Sequence, residues 1–182
     1  MADNEFGYTA WGRDWVRLAE PIRQARPEPL LPRARSIARN HGVRTEIEAR
    51  TVRAHLHRGG QASIAHVEVA PLTRGAVTAI ARTIPDPRVL TDGMHRALLD
   101  AGHSPAPTLV STDCSCPART DRCVHVLAVL YAIAWQVDEN PRLALELQGF
   151  FDTTADTDVP VAEARWTSLH SLDPSKFFTT AH

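Results

Sequence analysis

Near the start of the chain apolar positions fall at helical spacing. Trp11, Trp15 and Leu18 recur at i, i+4 and i+7, one face of a helix over about residues 10–19 that Pro21 stops. Pro27, Pro29 and Pro32 punctuate the next stretch, and then Ala34, Ile37 and Ala38 predict a second short helix, ended by Asn40-His41-Gly42. From Val43 the period becomes two. Val43, Thr45 and Ile47 alternate with Arg44, Glu46 and Glu48, and Val52, Ala54 and Leu56 alternate with Arg53, His55 and His57. Ile64, Val67 and Val69 come after the Gly59-Gly60 turn, so the pattern predicts a three-stranded antiparallel meander with one wet face, closed by Pro71.

Two helical segments come next, at about 73–83 and 91–101, split by Pro85-Asp86-Pro87 and ended by Gly102. Residues 108–111 read as a strand leading into a group of cysteines. Residues 124–137 are apolar on nearly every side, as expected of a helix enclosed by other elements. Beyond Phe151 no period holds, and Asp, Thr, Ser and Pro surround isolated Trp166, Leu169 and Phe177. That composition predicts a flexible tail with one docking segment around 161–169.

Apolar residues make up 43% of the chain, enough for an ordinary core. The longest nearly unbroken apolar run, 126–135, is far short of the roughly 20 residues that span a bilayer, and the amino terminus lacks a secretory leader pattern. A cytoplasmic protein without membrane attachment is the expectation. With 20 basic and 21 acidic side chains the chain as a whole does not attract polyanions. Charge is unevenly placed, however: residues 1–60 hold 11 Arg against 7 acids, and the remainder holds 9 basic against 14 acidic residues. The first third is therefore the candidate surface for nucleic acid, through Arg33, Arg35, Arg39, Arg44 and Arg53 on phosphates. The competing reading makes these arginines solvated faces of a helix and strands.

The chemistry is concentrated in the string Cys114-Ser-Cys116-Pro-Ala-Arg-Thr-Asp-Arg-Cys123-Val-His125. Three thiolates and one imidazole complete a tetrahedral set for one structural Zn2+ per chain. Alternate residues of an extended chain point the same way, so Cys114 and Cys116 present both sulfurs from a strand end. Pro117 and the residues after it reverse the chain, and Cys123 and His125 enter from the first turn of the next helix. An odd cysteine count argues against a disulfide framework, and a full set of four protein ligands leaves no open position for hydrolysis. Arg119 and Arg122 are placed either to offset the charge of three thiolates or to contact phosphate. His41, His55, His57 and His66 form no constellation with paired carboxylates, so neither an enzyme nor a small-molecule substrate is expected.

This Cys-x-Cys, spacer, Cys-x-His arrangement, with the apolar helix after it, resembles the SWIM zinc finger. Trp11-Gly12-Arg13-Asp14-Trp15, Arg33–Arg39 and the strands after them are similar to bacterial SWIM zinc finger proteins that accompany SNF2-type helicases, over about residues 6–148. The resemblance implies binding of DNA or of a protein partner such as a SNF2-type ATPase. The expected fold class is α+β, a small antiparallel sheet packed by helices. Its expected divisions are an α+β region over 1–105, a strand–zinc knuckle–helix finger over 106–148, and a tail over 149–182. Serine at Cys116 or Cys123 is expected to destabilise the carboxyl-terminal half, since metal binding is coupled to folding.

Overall fold

The computed structural model describes residues 5–22, 28–58, 60–118 and 120–155. Its first helix, α1 (Ala10–Ala19), begins where the Thr9 hydroxyl accepts from the Gly12 N–H. Threonines at 73 and 91 open α3 (Arg74–Thr83) and α4 (Asp92–Asp100) in the same way, each satisfying an amide that the helix itself leaves unpaired. The short α2 (Leu31–Arg39) has no side-chain cap but carries Pro32 in its first turn, where the missing N–H costs nothing.

Strands β1 (Val43–Glu48), β2 (Thr51–Arg58), β3 (Gln61–Val69) and β4 (Leu109–Cys114) form one antiparallel sheet in the order β1-β2-β3-β4. Val52, Ala54 and Leu56 of β2 lie beside Val67, Ala65 and Ser63 of β3, and with Val69 the apolar members make the buried inner face. Ile64, grouped with Val67 and Val69 by the sequence pattern, falls on the opposite face because residues 65, 67 and 69 point inward. The expected strand at 108–111 extends to Cys114. Its alternation is broken by a bulge: Glu68 pairs with Ser111 and Val69 with Leu109, leaving Val110 unpartnered and exposed on an edge strand.

Helix α5 (Val124–Glu139) packs on the inner face of this sheet and against α1 and α2. Leu127, Leu130, Ile133 and Tyr131 are all enclosed, which is why its sequence shows no polar stripe. Each such large side chain contributes about 1.5–3 kcal/mol by burial. The architecture is α+β. One core runs from Phe6 to Phe150, so the division drawn at 105/106 passes through a shared interior. Phe150 and Phe151, assigned to the tail by composition, pack into that interior as well. After α6 (Arg142–Glu146), the helix α7 (Phe150–Ala155) buries Phe150, and Gln148 Nε2 donates to the carbonyls of Pro105 (3.0 Å) and Ala144 (2.8 Å). The rest of the expected tail, including the 161–169 segment, lies outside the described residues. Among the described residues no helix is long and apolar enough to cross a membrane.

A buried carboxylate fastens the two ends of this core together. Asp138, near the end of α5, accepts through Oδ2 from the N–H groups of Gly7 (2.6 Å) and Tyr8 (3.3 Å), and through Oδ1 from the N–H (2.9 Å) and hydroxyl (2.7 Å) of Thr9. It sits at the amino end of α1, where the helix dipole favours negative charge. Gly12 faces it so closely that a Cβ there would lie 2.1 Å from Asp138 Oδ1. The neighbouring residues join α1 to α4. Asp14 Oδ2 and His95 Nε2 meet at 2.7 Å, both buried, and the Trp11 indole donates to the Thr91 carbonyl at 3.1 Å. Trp15 is fully enclosed. Four of the five residues in Trp-Gly-Arg-Asp-Trp are thus accounted for by packing.

Candidate metal centre

Cys114 ends β4, and Cys116 stands in the turn after it. Cys123 is the N-cap of α5, with extended backbone (φ −66°, ψ 164°), and His125 lies in the first helical turn, as the spacing required. The knuckle between them is held to the strand by the Thr112 hydroxyl, which donates to the Asp121 carbonyl at 2.8 Å. Ser115 secures the entry: its N–H donates to the Ile64 carbonyl, and its Oγ accepts from the Ile64 N–H, both at 2.9 Å. The sequence offered no signal for either contact.

The four ligand atoms lie within 4.8 Å of one another, and Cys114 Sγ is 3.8 Å from His125 Nδ1. Tetrahedral zinc with Zn–S bonds of about 2.3 Å places sulfurs about 3.8 Å apart, so the side chains close on the ion with shifts of about 1 Å or less. Cys116 and Cys123 are buried, while Cys114 and His125 are half-buried. Burial pushes the Cys114 thiol up to about 12 and raises that of Cys123 too, so by themselves these sulfurs keep their protons at neutral pH. A divalent cation reverses that balance by expelling the protons and taking the thiolates as ligands. The chain accordingly holds one structural Zn2+ through Cys114, Cys116, Cys123 and His125.

Compensation for three thiolates comes first from the backbone. The Cys116 N–H donates to Cys114, and the N–H groups of His125 and Val126 donate to Cys123 at the positive end of α5. Arg122, one of the two arginines expected to do this or to hold phosphate, turns elsewhere. It donates to the carbonyls of Leu18 (3.1 Å) and Ala19 (2.7 Å), capping the carboxyl end of α1. Arg119 lies outside the described residues. Replacing Arg122 by Ala is expected to cost about 1–2 kcal/mol in stability with zinc content unchanged. Thermal melts and metal analysis of that variant check it, and loss of zinc would instead tie Arg122 to the cluster.

The five arginines of the first third do not converge. Arg35 donates to the Tyr131 hydroxyl (3.0 Å) and pairs with Glu20, to which Tyr131 also donates. Burial and the neighbouring Glu20 raise the Tyr131 phenol, keeping it a donor. Arg39 makes a two-pronged pair with Glu5. Arg33, Arg44 and Arg53 are exposed and make no ion pair among the described residues. Arg44 and Arg53 stand on the outer sheet face, directed away from α5, whereas Arg33 rides on α2, which packs against α5.

Residues 99–134 match the family model of the SWIM zinc finger, a stretch from the end of α4 through β4 and the knuckle into α5. It is narrower than the 6–148 expected from the sequence, and it leaves Trp11–Trp15 and Arg33–Arg39 outside. No curated protein and no solved structure matches the chain.

Proposed function

We propose that this SWIM-type zinc site serves an accessory protein without catalytic activity, an adaptor for a larger partner such as a SNF2-type ATPase, with no direct nucleic-acid contact. The observation that carries this reading is the fate of the cations. Arg35, Arg39 and Arg122 are bound to groups of the chain itself. Of the rest, Arg44 and Arg53 are exposed together on the outer sheet face, and Arg33 is exposed on α2. The metal completes its shell with four protein ligands, which suits building rather than turnover.

Titration of labelled duplex DNA at several salt concentrations tests the proposal, with size-exclusion analysis of mixtures with the ATPase in parallel. The adaptor reading expects DNA binding no tighter than a non-specific Kd of about 10−4 M at physiological salt, and a complex that survives added salt. The alternative, nucleic-acid binding, is favoured by the three exposed, unpaired arginines. If all three engaged phosphate, log K would fall against log salt with a slope of about −2.7, and that slope would overturn the adaptor reading.

A further inference from the structure

Beside the zinc knuckle, β4 forms the outer edge of the sheet, and between it and α5 lies a groove of about 420 Å3. Leu109 and Val110 give it an apolar flank above the nearly enclosed Val126 and Leu130, and Asp121 stands at its rim. Val110, displaced by the bulge, exposes 55% of its surface there. The Ser115–Ile64 bonding sets the ladder so that Ser111 and Asp113 face β3 while the N–H and C=O of Thr112 face outward. An open strand edge beside an exposed valine and an apolar groove is a surface that folded proteins ordinarily cover.

We propose that residues 161–169 of this same chain cover it, lying along β4 with the Trp166 side chain in the groove. Position and reach favour this occupant. The chain leaves α7 at Ala155, and just before it Gln148 bonds Pro105 and its carbonyl receives the Leu72 N–H, while Ala70 N–H bonds the Thr108 carbonyl at the mouth of β4. The stretch from Ala155 to Trp166 extends to about 36 Å, whereas β4 spans about 20 Å. Chemistry favours it too. An indole combines a large apolar body with a single N–H, and the groove combines the apolar flank of Leu109 and Val110 with the Asp121 carboxylate, which makes no hydrogen bond among the described residues. The added segment would satisfy the outward Thr112 groups by strand addition.

The experiment compares the zinc-loaded full chain with its Trp166→Ala variant by NMR, reading amide exchange at Thr112 and the methyl resonances of Val110 and Leu130. Expected are ring-shifted methyls and slow Thr112 exchange in the parent, with the methyls relocated and Thr112 exchanging about tenfold faster or more in the variant. Zinc content should stay put, because the groove lining includes none of the four ligands. Identical spectra and exchange in the two proteins overturn the proposal. So does protection that vanishes on dilution yet persists in Trp166→Ala, which would make a second copy the occupant.

Discussion

Cys123→Ser is expected to abolish zinc binding and to lower the melting temperature of the whole chain by at least about 10–20 °C, in one transition. Structural zinc contributes about 10–16 kcal/mol in small finger peptides, comparable to the entire stability of an ordinary domain. Here a large core survives the loss, so a deficit of about 5 kcal/mol is the reasoned floor, and for a domain of this size each kcal/mol shifts the midpoint by about 2–4 °C. The expectation from sequence confined the damage to the carboxyl-terminal half. Helix α5, which opens at Cys123, packs against α1, α2 and the sheet together, so the damage spreads to all of them. Serine is the informative replacement because its oxygen can keep the N-cap contact to Val126, whereas Cys123→Ala forfeits about a further 1 kcal/mol. Circular dichroism and tryptophan fluorescence should melt together. A variant that keeps its melting point would remove the zinc from the forces holding this fold.

Gly12→Ala is expected to destabilise by about 3–5 kcal/mol, the reverse of the usual gain of about 1 kcal/mol when alanine replaces glycine inside a helix. The added methyl would stand 2.1 Å from Asp138 Oδ1 and 2.5 Å from Cγ. The carboxylate cannot retreat without loosening its four donors from Gly7, Tyr8 and Thr9. Asp138→Ala removes the obstacle but strands those donors, at a similar cost. The two losses should therefore not add: in the double variant the cost of the methyl falls by more than about 1 kcal/mol. Urea denaturation of the four proteins measures the cycle. A neutral or stabilising Gly12→Ala would mean that α1 can slide away from α5 at this point.

Sequence reading reaches furthest where one local signal determines the outcome. Cys114, Cys116, Cys123 and His125 are close in the chain, so their spacing alone describes the cluster. The period of two in 43–57 likewise specifies which face of the meander is dry, and the even hydrophobicity of 124–137 marks α5 as central. It fails where a residue's partner is remote. Asp138 reads as the polar end of a helix, yet its donors lie 129–131 positions earlier. Asp14 and His95 are 81 residues apart, and Arg122 finds its acceptors more than 100 residues away. The pattern stops short of the end of β4 because the bulge at Val110 interrupts the alternation. The helix at 150–155 is invisible in the pattern because its anchors, Phe150 and Phe151, are adjacent and no period surrounds them.

The Asp138 clamp also imposes an order on synthesis. Trp11 and Trp15 leave the ribosome early, but the helix they pack against and the carboxylate that fixes the Gly7–Thr9 loop emerge only after residue 138 has been added. Until then α1 has no α5 to dock on, and at about 5–20 residues per second its apolar face waits on the order of ten seconds for a partner. Growth of this chain thus includes an interval in which the nascent amino-terminal segment is a client for any chaperone that holds exposed tryptophan.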